Sequence, residues 1–385
     1  MEELYFSEEH RMLRDMVREF AQNEVAPLAK EIDQEARFPQ ETVEKMAELG
    51  LLGIPWPEEY GGTGMDTLAL VIAIEELGTV CPSTAATIMA HTSLGSAPIF
   101  MFGTEKQKRQ YLPRLSSGEI LGAFGLTEPN AGSDAGNTQT KAVLDGDSYL
   151  VNGQKVFCTN AGKAGVILFT AKRIVNGEDQ GICAFLADAE TPGLSVSPPE
   201  NKMGWKGSDT RSVYFEDMRI PLENILGSTD GGLKKFLQTL TGGRITIGGL
   251  ALGTANGAYL AALSYSQERE AFGKPINRFQ GISYKLADMA TRLEASRHLV
   301  YHAAWLKDQG LPVIKQAAMA KLFASETAMF IANEAIQIHG GYGYIKEYDV
   351  ERFFRDAKIL EIGEGTSEVQ RIVISREILK AVTPV

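Results

Sequence analysis

The sequence predicts a mainly helical fold with a β domain set in its middle, and three observations predict it. Apolar residues recur at helical spacing from the amino terminus to about residue 120. From about 121 to 228 they alternate in short runs parted by tight turns, and from about 229 to 385 helical spacing returns in long segments. The expected units are an amino-terminal helical domain over 1–120, a middle β domain over 121–228 and a helical bundle over 229–385. A chain of 385 residues can bury a large core and divide into two or three domains.

In the first unit, Ser7 is placed to cap a helix from Glu8 to Ala29. Met12, Val17, Phe20 and Val25 recur there at helical spacing, and Glu8 and Glu9 suit the positive end of the dipole. The prolines and glycines of Pro55 to Gly64 make that stretch a loop. Helical patterns resume over Leu68–Leu77 and Ser83–Phe102, and Thr104 with Gln107 makes a capping box for a helix ending near Pro113. In the second unit, Thr138–Leu144, Tyr149–Val151 and Lys155–Cys158 read as hairpin strands turning at Asp145-Gly146-Asp147 and at Asn152-Gly153. Further strands are expected over Val166–Ala171, Ile182–Leu186, Leu194–Ser197 and Ser212–Phe215. In the third, Leu286, Met289, Leu293, Ser296 and Val300 trace one stripe, and Val313–Ile338 gives another. The Ala- and Gly-rich run Ile247–Ala262 suits a close-packed bundle or an oligomer core.

Charge narrows the function classes. A net charge of −11 without a basic run argues against a nucleic-acid binder. Met1-Glu2-Glu3-Leu4-Tyr5 is acidic and resembles no leader, and apolar runs such as Val166–Phe169 fall short of the ~20 residues that span a bilayer. The expectation is a cytoplasmic protein that does not associate with membranes. Cys81, Cys158 and Cys183 are widely spaced and suit core positions, and His298 with His302 lacks the surrounding signature of a zinc site, so no metal is expected.

The chemistry concentrates in Glu361-Ile362-Gly363-Glu364-Gly365-Thr366-Ser367-Glu368-Val369-Gln370-Arg371. Glu361, Glu364 and Glu368 have the spacing of a solvated acidic helix face, which is one reading. Against it, Gly363 and Gly365 each cost a helix roughly 1 kcal/mol relative to Ala. A bent backbone around Glu364 is then expected, with a new helix capped by Ser367 and boxed by Gln370. Such a backbone presents both a carboxylate and its own N–H to a ligand, which makes Glu364 the candidate catalytic base.

Two further stretches bear on function. Gly125-Leu126-Thr127-Glu128-Pro129-Asn130-Ala131-Gly132-Ser133-Asp134-Ala135-Gly136 offers close backbone approach, hydroxyls and N–H groups to a planar heterocycle or phosphate, and it equally suits an interdomain turn. Gln337-Ile338-His339-Gly340-Gly341-Tyr342-Gly343-Tyr344 closes a long helix, either as a glycine cap or as a nest of successive N–H groups for a pyrophosphate.

With these stretches in place, the chain closely resembles the acyl-CoA dehydrogenase family over essentially its whole length. Leu126–Asp134 matches the family's first signature, and Gln337–Asp356, with Gly340, Gly341, Gly343, Glu347, Arg352 and Asp356 in place, matches the second. The resemblance implies an amino-terminal helical domain, a middle β-barrel domain and a carboxy-terminal four-helix bundle. It also implies FAD, an acyl-CoA substrate, electron-transfer flavoprotein as electron acceptor, and a homotetramer or dimer whose subunits complete one another's cofactor sites. By the same resemblance Glu364 takes the α-proton and flavin N5 the β-hydride, giving a trans-2-enoyl-CoA from a short-chain or branched acyl-CoA.

Residue by residue, Leu126 and Thr127 fall where the flavin ring is hydrogen-bonded. Phe157 and Thr159 fall where an aromatic packs on the ring and a hydroxyl meets N5, and Ser133 where cofactor and the pantetheine arm meet. Arg269, Phe272 and Gln280 look like the neighbouring subunit's contribution to the FAD diphosphate and adenosine. Gln337, Gly340 and Gly341 match the backbone cradle, and Thr366 with Glu368 resemble further cofactor contacts. Arg244 is similar to the substrate-side arginine and Gly365 to a residue touching the thioester. Isovaleryl- and long-chain-type members carry their base just before the arginine that Arg244 matches. Here that position is Gly243, which favours Glu364 and a butyryl- or medium-chain-like arrangement. Two positions depart from the pattern. Gly363 replaces a usual Tyr, leaving the acyl pocket wider or filled from elsewhere, and Thr241 replaces an Asp that touches CoA in several members. An acyl-CoA oxidase, an enoyl-CoA reductase working in reverse and a flavin-binding scaffold without turnover are the alternatives.

Overall fold

The computed structural model describes residues 2–380, helical toward both ends of the chain with a sheet between. Met1 and residues 381–385, the extremes of the first and third expected units, lie outside the described residues.

Local signals place the first helices. Ser7 accepts the His10 N–H to cap Glu8–Phe20, and the His10 ring accepts the Ser7 N–H in return. Met12 is 63% exposed, because the buried stripe runs instead through His10, Leu13, Val17 and Phe20. A π-helical turn, Ala21–Val25, leads into Ala26–Glu35. Thr104 and Gln107 form the expected box, and the Gln107 amide also donates to the Glu223 and Ile225 carbonyls. The helix they start, Glu105–Ser116, continues through Pro113, since a proline in the last turn forfeits only one backbone hydrogen bond.

Ser83–Phe102, expected as one helix, is two. Pro82–Ala90 and Ala97–Phe102 are joined by a π-helical turn, His91–Ser96. That turn docks closely on β1 of the sheet, Leu121–Gly125. A Cβ on Gly95 would lie 2.7 Å from the Gly122 carbonyl carbon, and the Gly122 N–H donates to His91 Nδ1 at 3.2 Å.

The sheet has seven strands: β1, β2 (Lys141–Asp145), β3 (Ser148–Thr159), β4 (Ala164–Val175), β5 (Glu178–Asp188), β6 (Leu194–Val196) and β7 (Thr210–Pro221). Their order is β1-β4-β2-β3-β7-β6, with β5 also on β4, around a core that includes Tyr149, Phe169, Phe185, Phe215 and Met218. The hairpin at Gly146-Asp147 forms as expected, Asp145 pairing with Ser148. Asn152-Gly153 does not turn the chain. It is a bulge inside β3, where Gly153 takes a φ of 144° and the Asn152 amide exchanges two hydrogen bonds with Asp217 of β7. A partner strand far along the sequence overrides the local turn signal.

Gly232–Glu268, Gln280–Asp308 and Ile314–His339 pack with Thr67–Val80 around one core, so the two helical regions share it. The Gly- and Ala-rich run permits this packing. Gly249 lies against Val71, tightly at 3.2–3.5 Å from a would-be Cβ, and Gly253 against Gly78, where a Cβ would collide with backbone at 2.8 Å. Contrary to the short apolar runs read above, Gly232–Glu268 is long and apolar enough to cross a bilayer, and 78% of its most apolar window is buried in the molecule.

Candidate active site

Glu364 lies between two elements, the turn Ile359–Glu361 and the helix Ser367–Lys380. Its φ is 52° and that of Gly365 is 93°. A non-glycine residue in the left-handed region costs of order 1–3 kcal/mol unless its surroundings impose it. Here they do. Gln370 Nε2 donates to the carbonyls of Gly365 (2.8 Å) and Glu364 (3.3 Å), and Lys321 Nζ donates to the Gly365 carbonyl at 2.8 Å. The cap falls one residue earlier than expected. Gly365 completes the left-handed turn, so Thr366 becomes the last residue outside the helix and accepts the Val369 N–H, leaving the buried Ser367 hydroxyl without a partner.

The Glu364 side chain turns inward, and the acidic-face reading fails. Both carboxylate oxygens are buried and, among the described residues, hydrogen-bonded to nothing, while Glu361 pairs with Lys358 at 2.6 Å and Glu368 is exposed. The carboxylate sits over Gly243 in the long helix. A Cβ there would stand 1.9 Å from Glu364 Oε2 and 3.4 Å from Leu94 Cδ2. The neighbouring Arg244 is 6% exposed, and its Nε has no partner. Burial pushes the Glu364 carboxyl up to about 7, against the opposing pull of Lys321 and Arg244. Among the described residues the Glu364 N–H donates to no acceptor. A strengthened, buried carboxylate base beside a buried guanidinium, on a turn with a free N–H among the described residues, suits removal of a proton from a carbon acid.

The other candidates fall into two groups. Leu126 and Thr127 continue from β1 and run beside β3, where the Val156 N–H donates to the Thr127 carbonyl at 2.8 Å. Phe157 has a φ of 58° and is 67% exposed, Thr159 is half-buried and Ser133 is exposed. Beneath them, Lys155 is fully buried and reaches Glu128 Oε1 (2.7 Å), Thr170 Oγ1 (3.1 Å) and the Leu126 carbonyl (3.3 Å). Glu128 also accepts the Gln139 and Thr140 N–H groups, so one buried pair holds both stretches. Lys155→Met is expected to destabilise the fold by about 3 kcal/mol or more, since it strands a buried carboxylate. Denaturant unfolding checks this, and an unchanged midpoint would count against it.

In the second group, Arg269, Gly340 and Gly341 line one cleft of about 460 Å³ with Tyr265 and Tyr342. Phe272 is 96% exposed on the short hairpin of Glu270–Ala271 and Lys274–Pro275, and Gln280, at the start of Gln280–Asp308, and Gln337, near the end of Ile314–His339, are exposed. The Gly340 N–H already donates to the Gln337 carbonyl as the helix cap, so the nest has one donor fewer than expected. No residue of the first group lines this cleft. Thr366 is engaged as a cap, and Glu368 lies beside it on the exposed side of its helix.

Three domain models of one family match the chain: acyl-CoA dehydrogenase N-terminal domain over residues 7–119, middle domain over 123–218 and C-terminal domain over 230–379. The chain belongs to the acyl-CoA dehydrogenase family. It is 53% identical to the probable acyl-CoA dehydrogenase YngJ of Bacillus subtilis, covering 97% of this chain and 99% of that protein. It is 49% identical to the short-chain specific acyl-CoA dehydrogenase of Clostridium acetobutylicum, covering 97% and 98%. Its fold is similar to a chain in the structure of the electron transferring flavoprotein of Acidaminococcus fermentans (TM-score 0.95, 46% identity, 97% and 99% covered). It is also similar to butyryl-CoA dehydrogenase from Megasphaera elsdenii (TM-score 0.94, 42% identity, 97% and 99% covered). An acyl-CoA dehydrogenase from Bacillus anthracis complexed with FAD matches as well (TM-score 0.92, 36% identity, 97% and 67% covered).

Among acyl-CoA dehydrogenases Gly363 is a departure that leaves room for a β-carbon: within 4 Å it would meet only the Ile359 carbonyl oxygen, at 3.4 Å, and Ile359 Cγ1, at 3.9 Å. One residue beside Glu364 was missed in the sequence. Lys321 is fully buried on Ile314–His339, among Ala317, Ala318, Ala320 and Ala324. Its signal was there to find: a single lysine in an apolar helical stripe is a buried charge that needs a reason.

Proposed function

We propose that the protein is an FAD-dependent dehydrogenase of short-chain or branched acyl-CoA thioesters in which Glu364 removes the α-proton. One observation supports this above the others: a buried carboxylate without a partner, seated over Gly243 on a left-handed turn whose N–H is free. A solvated glutamate, with a pKa near ~4.3, is too weak a base for a thioester α-proton. Burial strengthens Glu364 and keeps water from competing with the substrate. The Glu364 N–H is available to the thioester oxygen, where it lowers the acidity barrier by stabilising enolate charge. Arg244 and Gly365 match the family's substrate-side positions, and the lack of a side chain at Gly363 suits a branched acyl group.

The residues present suit FAD. Phe157 offers an uncovered aromatic face next to the Leu126 and Thr127 backbone, with Thr159 and Ser133 at its margins. At Gly340 and Gly341 a Cβ would meet nothing within 4 Å, and Arg269 supplies a cation for a diphosphate in the same cleft. Gln337, Phe272 and Gln280, with Thr366 and Glu368, are the further cofactor contacts that the family resemblance implies. Because no residue of the first group lines that cleft, a neighbouring copy in a homotetramer or dimer completes each cofactor site, as the family resemblance implies. When bound, FAD supplies the two-electron acceptor for the hydrogen leaving Cβ. The product is a trans-2-enoyl-CoA, with electron-transfer flavoprotein as the electron acceptor in the cytoplasm.

Anaerobic titration with butyryl-, isobutyryl-, 2-methylbutyryl- and octanoyl-CoA, followed at the visible flavin band, tests this reading. Bleaching by a short or branched thioester is expected. A flavin that stays oxidised with all four would overturn it, and rapid peroxide formation in air would move the assignment to an oxidase.

A further inference from the structure

Lys321 is the buried group that the chemistry above leaves without a task. Taking an ammonium out of water costs several kcal/mol, so its one hydrogen bond, to the Gly365 carbonyl, needs justification. That bond is duplicated. Gln370 Nε2 donates to the same oxygen at the same 2.8 Å, and also to the Glu364 carbonyl, so the left-handed turn has a neutral clamp of its own. What Gln370 does not supply is charge. Four ionisable groups face Lys321: Glu364, Glu361 and Glu368 favour its ammonium, and Arg244 opposes it. Glu361 is already paired with Lys358, and Glu368 is exposed to water. Only the Glu364 carboxylate is both buried and unpaired.

We propose that Lys321 is a positioning residue whose ammonium keeps the Glu364 carboxylate ionised, and so ready to accept a proton, at neutral pH. It rests on the reading of Glu364 as the base. Two cations face Glu364, Lys321 and Arg244, from different helices. Arg244 matches the family's substrate-side arginine and its Nε is without a partner among the described residues, whereas Lys321 is bound to the Gly365 carbonyl of the turn that carries Glu364. Its direction of action is fixed by sign: a nearby positive charge stabilises the carboxylate and offsets part of what burial costs it. Lys321 itself, although burial pushes it down to about 8, stays mostly protonated at neutral pH.

The test compares Lys321→Gln, which keeps a donor for Gly365 and loses the charge, with Lys321→Arg, which keeps the charge. In Lys321→Gln the rising limb of kcat/KM against pH is expected to move up by about one unit or more, with the rate returning to within a few-fold of the parent above it. Lys321→Arg is expected to leave the limb in place. A second readout needs no turnover. The infrared band of the protonated Glu364 carboxyl, identified by its loss in Glu364→Gln, should titrate at higher pH in Lys321→Gln than in the parent. A pH-independent drop with an unmoved limb and band would make Lys321 a structural residue and overturn the proposal. If Lys321→Gln does not fold, Lys321→Met carries the same comparison, and failure of both beside a folded Lys321→Arg would also overturn it. Normal turnover of Glu364→Gln would instead remove the base assignment, while the infrared comparison would still decide whether Lys321 tunes that carboxyl.

Discussion

Glu364→Gln is expected to keep bound FAD, lose at least ~10²-fold in kcat/KM, and yet melt at a higher temperature than the parent at pH 8. Loss of rate follows from removing the proton acceptor while leaving a side chain of the same shape. The gain in stability follows from linkage. Burial raises the carboxyl from 4.5 in the unfolded chain to about 7 in the folded one. Across that window the folded state holds a proton that the unfolded state has released, so stability falls as pH rises. Above about pH 7 the full cost of the buried charge is present, on the order of 3 kcal/mol, and below about pH 4.5 it is absent. Glutamine carries no such charge at any pH. Thermal melts of parent and variant should therefore diverge at pH 8 and converge toward pH 4.5. Near-parent turnover would sink the base assignment, and a constant difference in melting temperature would sink the account of its burial.

Gly243→Ala is expected to lower turnover by about 10²-fold with little change in the fold. The added methyl would intrude to 1.9 Å of Glu364 Oε2, so the carboxylate must leave its seat. It is the far end of a flexible side chain, and the other neighbour, Leu94 Cδ2, remains at an ordinary 3.4 Å. A displacement of about an ångström in a reacting group is enough to cost this much rate without unfolding anything. Gly253→Ala in the same helix provides the contrast. There a Cβ would lie 2.5 Å from the Glu75 carbonyl and 2.8 Å from Gly78 Cα, so backbone has to move and the melting temperature should fall. Steady-state rates, flavin content and thermal melts of the two variants separate a displaced base from a damaged core. If Gly243→Ala turns over like the parent, the seat over Gly243 is not where the carboxylate works.

Much of the site was legible because its signals are short-range. Two glycines around Glu364 forbade a helix there, and the structure bends at that point. Ser7 and Thr104 start helices because each hydroxyl meets an N–H three residues on, a contact that the sequence contains in full. The hairpin at Gly146-Asp147 is local in the same sense. Where a distant strand or helix decides, the same kind of reading fails. Asn152-Gly153 has the composition of a turn and became a bulge because Asp217 holds it in the ladder. The cap slid from Ser367 to Thr366 because Lys321 and Gln370 hold Gly365 in the left-handed turn.

By itself, then, the sequence determined the order of helical and β regions and the family, and it singled out Glu364 as the candidate base. Each of these rests on spacing and on residue types within a few positions of one another. The tertiary structure alone decided that this carboxylate is buried, that Gly243 makes its seat, and that Lys321 stands behind it. Those facts depend on desolvation and on groups brought together from helices more than a hundred residues apart in part, and no periodicity along the chain encodes the dielectric that surrounds a side chain after folding.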